Sequence, residues 1–337
     1  MIKRKKTRHI LIGNVGVGGD EPVRVQSMTN TDTRNVKKTV SQIKGLERVG
    51  CEIVRVAVPD MEAAKVLSEI KKQISIPLVA DIHFSADLAL EAIRQGVDKI
   101  RINPGNVKPI EKIKEVVLAC KKKKIPIRIG VNAGSLEQEI LEQYKGEATA
   151  KGMVQSAIKH ITILEELGFE DIMISLKASD IERTVEAYRE LSEKVNYPLH
   201  VGVTEAGTKF RGTVMSSIGI GTLLYAGIGD TIRVSLTDDP TEEIPVAWEI
   251  LSALDLRHRK PTVTSCPTCG RTEIDLLKLT KEVEKTLREE AKAEDKSISD
   301  VVNEALEKYH NEYKYFDSIN AHHLDPIVVE AFFSLVD

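Results

Sequence analysis

Polar and charged side chains recur at one place in a repeating pattern of this chain: where each of a series of apolar, β-branched runs gives out. In order, these ends carry Arg55, then Asp81 and His83, Arg101 and Asn103, Arg128 and Asn132, Ser175 and Lys177, Thr204 and Glu205, and finally Arg233 and Ser235. Arg55, Arg101, Arg128, Lys177 and Arg233 are cations set in apolar stretches. Such a charge is expensive to desolvate unless it is paired or meets a ligand. The cations outnumber the acids beside them, so the natural complement is a multiply charged anion, and arginine is suited to forked contact with phosphate oxygens. Lys177 could act as a phosphate ligand or as a Schiff-base amine; its arginine company favours the ligand. Asp81, His83 and Glu205 are the candidates for proton transfer, or for orienting a phosphate or hydroxyl group.

A second chemical signal is Cys266-Pro-Thr-Cys269-Gly, a knuckle in which two thiolates can reach one metal ion or one cluster edge. A redox dithiol is the rival reading. Such dithiols usually open a helix in a thioredoxin-like unit, however, whereas this pair follows the whole series of strand patterns. A knuckle needs further ligands. No cysteine follows Cys269, and the later histidines, His310, His322 and His323, read most simply as ordinary exposed side chains. Cys51 and Cys120 read as packing residues. A total of 4 cysteines suits a reducing compartment.

The elements that must position these groups alternate from the N-terminus to about residue 256. Strands are predicted at Val23–Met28, Ile53–Val58, Leu78–His83, Lys99–Asn103, Ile125–Val131, Ile172–Leu176, Leu199–Val203 and Thr231–Leu236. Helical patterns lie between them. One has Val36, Val40, Ile43, Leu46 and Val49 on a single face. Gly50, Gly96 and Gly168 are expected as left-handed helix ends, and Asp60 and Asp180 as N-caps. Strands and helices alternating in this number favour a (β/α)8 TIM barrel over a doubly wound sheet, although periodicity does not give strand order. In such a barrel, function gathers at the C-terminal strand ends. The glycine-rich GNVGVGGD (13–20) is expected to be a hairpin turn between Ile10–Ile12 and Val23–Val25. It is not read as a phosphate loop, because no helix follows it. Residues 1–258 are expected to form the barrel, and 259–337 a knuckle with a mostly helical tail.

The 337 residues are 42% hydrophobic and 29% charged, enough for a sizeable core. A net charge of −3 gives no general pull toward nucleic acid or anionic membrane, so attraction for an anion must be local. Aromatics at 4% argue against base-stacking platforms. The basic start is followed by no signal-like apolar stretch, and no run is long enough to span a bilayer. A cytoplasmic enzyme is expected.

The segments QSMTNTDT (26–33), VRVAVPD (54–60), ADIHF (80–84), RINPGN (101–106), RIGVNAGS (128–135), SLKASD (175–180), GVTEAG (202–207), IRVSLTDDP (232–240) and SCPTCGRTEIDL (265–276) resemble the bacterial 4-hydroxy-3-methylbut-2-enyl diphosphate synthase family, in order and over roughly residues 1–290. The resemblance implies reductive opening of 2-C-methyl-D-erythritol 2,4-cyclodiphosphate in non-mevalonate isoprenoid synthesis, with two electrons consumed and water expelled. It also implies a 4Fe–4S cluster, flavodoxin or ferredoxin as electron donor, and a homodimer. By motif, Arg55, His83, Arg101, Asn103, Arg128, Asn132, Lys177, Arg233 and Ser235 would bind the cyclodiphosphate, and Glu205 would sit near the reacting carbons. Cys266 and Cys269 would be two of three cluster cysteines. The family's remaining ligands, a cysteine and a glutamate in a segment like Cys-Val-Val-Asn-Gly-Pro-Gly-Glu, have no counterpart in this sequence. Catalytic competence of the chain therefore depends on ligands it does not itself supply. Other readings of the residues are a redox-free sugar-phosphate barrel with zinc at the knuckle, and a diphosphate-binding protein without turnover.

Overall fold

The computed structural model describes residues 2–82, 85–102 and 110–259, with a few positions between 275 and 285. The compact unit Met1–Arg257 opens with an antiparallel hairpin, β1 (Ile10–Ile12) and β2 (Val15–Val17). Eight parallel strands follow: β3 (Arg24–Met28), β4 (Ile53–Ala57), β5 (Leu78–Asp81), β6 (Lys99–Ile102), β7 (Ile127–Asn132), β8 (Ile172–Lys177), β9 (His200–Val201) and β10 (Thr231–Ile232). Each of β3 to β7 pairs with the next in the chain, and β10 pairs both with β9 and back with β3. The ring closes where Ile174 bridges Leu199 and its N–H donates to the Pro198 carbonyl at 3.0 Å. Neighbours in space are neighbours in sequence all the way round. The fold is thus a barrel and not a doubly wound sheet.

The eight strands begin where the apolar runs predict, but β9 and β10 stop after two residues, short of the expected Leu199–Val203 and Thr231–Leu236. Gly202 explains the break. A side chain there would overlap the Arg233 carbonyl, so the two backbones press together beyond the last ladder bond, Arg233 N to Val201 O at 3.0 Å.

The hairpin also differs from expectation. Ile10–Ile12 pairs with Val15–Val17, not with Val23–Val25, which belongs to the barrel. The two-residue loop begins at Gly13, with φ 59°, where a tight hairpin turn of this kind calls for glycine. The register pairs Ile10 with Val17, and these with Ile12 pack on Ile53, Val79 and Met173. Those three belong to the early parts of β4, β5 and β8, so the hairpin forms an apolar floor at the N-terminal end of the barrel.

Outside the strands, helices complete the main core. α1 (Val36–Val49) starts where Asn35 accepts from Lys38 N, buries Val40, Ile43 and Leu46 against the sheet, and ends at Gly50 with φ 98°. Asp60 caps α2 (Met61–Lys65), and Asp180 caps the helix Ile181–Lys194, by accepting the N–H three residues on. Gly96 and Gly168 also take positive φ. Cys51 and Cys120 are buried free thiols, as packing residues should be. No helix among the described residues is long and apolar enough to cross a membrane. Most of 259–337, with the tail helices expected there, lies outside the described residues.

Candidate active site

Side chains alternate along a strand, so residues two apart share a face. On β6 this carries Lys99 and Arg101 into the lumen; on β7, Arg128, Gly130 and Asn132; on β8, Met173, Ser175 and Lys177. Register then sets them side by side. Asp81, Arg101 and Arg128 are successive partners across β5, β6 and β7, and Asn132 is the partner of Lys177. The cations predicted at the strand ends do converge.

Their bonds show how the cluster is held. Arg101 Nη1 donates to Asp81 Oδ1 at 3.1 Å, and its Nη2 to the Gly130 carbonyl at 3.2 Å. With its side-chain amide oriented to suit its neighbours, Asn132 accepts from the same Nη2 at 3.3 Å. A methyl on Gly130 would run into the Arg101 guanidinium, so glycine is what lets that group lie flat across β7. Arg55 Nε faces Asp81 Oδ2 at 3.4 Å, while its Nε and Nη2 donate to Met28 Sδ at 3.1 and 3.0 Å. Arg233 Nη2 reaches Glu243 Oε1 at 3.5 Å; the other oxygen of Glu243 accepts from Ser27 at 2.8 Å. Lys177 Nζ lies over Gly202, where an added Cβ would come within 3.0 Å of it.

Electrostatics follow from this crowding. Burial, only partly offset by Asp81 and aggravated by Arg233 and Arg101, lowers the Arg55 guanidinium to about 10. Burial and then Arg55 and Arg101 push Arg128 well below the usual arginine range, and burial with Arg233, Arg55 and Arg128 does the same to the Lys177 amine. Nε and Nη1 of Arg128 are buried without an acceptor, as is Nε of Arg233. Against Arg55, Lys99, Arg101, Arg128, Lys177 and Arg233, the lumen-facing acids among the described residues are Asp81 and Glu243. A multiply charged anion would supply the missing acceptors and counter-charge at once.

Ser175 is buried, with its hydroxyl toward the Ile129 carbonyl at 3.5 Å; Thr204 and Ser235 are half-buried beyond the ends of β9 and β10. Glu205 is exposed at the same end, with φ 54°. A non-glycine residue there is strained, and such strain concentrates at functional positions. His83, Asn103, Cys266 and Cys269 lie outside the described residues.

The TIM-barrel domain model of the GcpE family matches residues 7–248. The chain is 60% identical over 288 residues to 4-hydroxy-3-methylbut-2-en-1-yl diphosphate synthase (flavodoxin) of Thermodesulfovibrio yellowstonii, covering 86% of this chain and 82% of that protein. This chain belongs to that family. The enzyme of the same name from Caldanaerobacter subterraneus is 62% identical over 286 residues, covering 85% of this chain and 80% of the relative. Among solved structures, N-acetylneuraminic acid synthetase of Leptospira borgpetersenii superposes with a TM-score of 0.55 at 13% identity, over 84% of this chain and 98% of that one. Dihydropteroate synthase of Stenotrophomonas maltophilia gives 0.52 at 12% identity, over 74% and 98%. At such identities these two report the barrel alone.

Family membership brings the iron–sulfur cluster into question, and the donors can be weighed against it. Cys51 Sγ donates to the Ile53 carbonyl at 3.1 Å inside the barrel wall, and burial raises its thiol to about 12; burial raises Cys120 as well. Neither is a ligand. Among the described residues no group of three or more His, Cys, Asp or Glu side chains could hold a metal. Cys266 and Cys269 offer two thiolates, the donor type such a cluster takes, and lie outside the described residues.

Sequence reading missed Lys99, His200 and Glu243. Lys99 was legible in principle, being two residues before Arg101 and so on the same face. His200 opens a strand whose later residues drew attention. Glu243 reaches the site from the helix Glu243–Ala253, outside the barrel wall, and no strand periodicity announces it.

Proposed function

We propose that the barrel binds 2-C-methyl-D-erythritol 2,4-cyclodiphosphate and serves its reductive ring opening to 4-hydroxy-3-methylbut-2-enyl diphosphate. The observation that carries this reading is the convergence of Arg55, Arg101, Arg128, Lys177 and Arg233 on one lumen in which Asp81 and Glu243 are the acids. Arg101, fixed by Asp81 and Gly130, would hold the diphosphate together with Lys177 from β8 and Arg233 from just beyond β10. Asn132, Ser175, Thr204 and Ser235 offer hydrogen bonds around it, and His83 and Asn103 join them by motif. Glu205, at the rim, is assigned to proton transfer or to a substrate hydroxyl. The relatives' name supports flavodoxin as electron donor. The cluster that would accept those electrons takes about four ligands, Cys266 and Cys269 among them, and a partner could complete the set. We place the binding function in residues 1–258 and the electron-transfer role with the segment 259–337.

A second copy of the chain is the partner we favour, in a cytoplasmic homodimer. The apolar row Phe210, Val214 and Ile218 on the helix Lys209–Tyr225, exposed along one face, supports association of this kind. Anaerobic calorimetry with the cyclodiphosphate tests the binding reading: saturable binding is expected, and its absence would overturn the assignment. Iron analysis of the same sample tests the cofactor. Iron near four atoms per chain would show that the ligand set is completed, whereas stoichiometric zinc without iron would favour the redox-free alternative.

A further inference from the structure

Lys99 is given no role in the proposed function, yet it is an unusual residue in the barrel. It is fully buried, two residues nearer the floor than Arg101 on the same strand. Its Nζ crosses the lumen to Gln26 Oε1 on β3 at 3.4 Å and Met173 Sδ on β8 at 3.5 Å. A long contact to an amide and a thioether is poor compensation for an ammonium ion. The ionisable groups presented by the surrounding strands are Arg55 on β4, Asp81 on β5, Arg128 on β7, Lys177 on β8 and His200 on β9; β10 presents neutral Thr231, and β3 neutral Gln26 with Arg24 two residues before it, paired with Glu21 and Glu52.

Asp81, the acid among them, is bonded to Arg101 and faces Arg55. His200 joins its Nδ1 to Thr231 Oγ1 at 2.7 Å, and its Nε2 has no partner; Gln26 Nε2 has none either. Below lies the apolar floor, where Ile53, Val79 and Met173 show that a hydrocarbon side chain could fill this level. A buried amine that must shed its proton, in a place that accepts hydrocarbon, is a standing cost, and it persists only where something offsets it.

We propose that Lys99 is a further anion-binding determinant of this barrel, one that takes up a proton as a diphosphate enters above it and then adds its ammonium charge to the site. Before entry, burial and the repulsion of Arg128 and Arg55 hold the amine well below the usual lysine range. Entry of the anion cancels that repulsion, beginning with Arg128, whose unbonded Nε and Nη1 acquire acceptors. The proton comes from solvent, one N–H bond forms, and nothing is oxidised or reduced. Lys99 thus acts through Arg128 as a positioning residue, not as a catalytic one. The idea rests on the diphosphate reading and deepens it.

The test is calorimetry with 2-C-methyl-D-erythritol 2,4-cyclodiphosphate near pH 8 in buffers of differing ionisation enthalpy. Each phosphate of the cyclic diester has already lost its only proton, so any proton taken up goes to the protein. Wild type is expected to bind with uptake approaching about one proton, and Lys99→Met to take up at least about half a proton less and bind about 10-fold more weakly. The variant should also melt higher, since in the free protein the amine must give up its proton on folding and lies buried without a strong hydrogen-bond partner. Lys99→Leu gives the same comparison if the methionine variant misfolds. Binding with no buffer dependence, or with equal proton numbers in wild type and variant, would overturn the role of Lys99. Absence of binding would instead overturn the diphosphate reading itself.

Discussion

Arg101 and Asp81 are neighbours twice over: their Cα atoms are register partners on β6 and β5, and Arg101 Nη1 donates to Asp81 Oδ1 at 3.1 Å. The second oxygen of the same carboxylate faces Arg55. One acid therefore restrains two guanidiniums in a site otherwise rich in positive charge. Asp81→Asn leaves both without that counter-charge, and breaking such a buried pair costs about 3–5 kcal/mol. A bound anion should restore part of this. Thermal unfolding with and without the cyclodiphosphate is expected to show a lower melting point for the variant but a larger gain on adding ligand. An equal gain would mean that Asp81 does not tune the anion site.

Gly130 tests the geometry without touching a charge. A methyl there collides with the Arg101 guanidinium, which must swing off the β7 backbone and lose its bond to the Gly130 carbonyl. Gly130→Ala is expected to cost about 1–3 kcal/mol of stability, as overpacked sites do. It should also weaken cyclodiphosphate binding by about 10-fold, the equivalent of one charge-assisted hydrogen bond. Calorimetry on a variant whose circular dichroism matches wild type checks this. Unchanged affinity would show that Arg101 binds nothing from its present position.

Glu205 separates backbone from side chain. Its φ of 54° carries a cost of about 1 kcal/mol or more for a residue with a Cβ. Glu205→Gly should therefore leave the melting point unchanged or raise it, whereas Glu205→Val should lower it. If the carboxylate serves the reaction, Glu205→Gln should bind the cyclodiphosphate within about threefold of wild type while ring opening with reduced flavodoxin falls about 100-fold. A rise in KM with kcat intact would instead make it a binding group.

Much of this was legible in the chain, for a physical reason. Parallel barrel strands are buried on both faces, so each reads as an apolar run, and an inward charge such as Arg55 or Arg128 stands out against it. The caps at Asp60, Asp180 and Gly50 were equally plain, because each answers a local backbone need. What escaped notice depends on contacts between distant segments. Gly202 against Arg233 shortens β9 and β10, and no local propensity records that approach. Val15–Val17 displaced Val23–Val25 as the partner of Ile10–Ile12 because the barrel claims the latter. Glu243 enters from a helix more than 160 residues after the carboxylate whose work it shares, Asp81.

Lys177 gives the pH prediction. Burial, and then Arg233, Arg55 and Arg128, depress its amine well below the normal range, while in the unfolded chain it titrates at about 10.4. Between the two values the unfolded state holds more protons than the folded one, so stability rises with pH there. The penalty is full below the folded value, shrinks through the window, and is gone above about 10.4. Lys177→Met removes the group and with it the penalty. Its melting point should exceed that of wild type near neutrality, and the gap should narrow steadily toward about pH 10. Saturating cyclodiphosphate, by supplying the counter-charge, should flatten the wild-type pH dependence over the same range. Parallel melting curves for the two proteins would show that Lys177 titrates as an ordinary lysine, and that the repulsion argued for this site is relieved without a ligand.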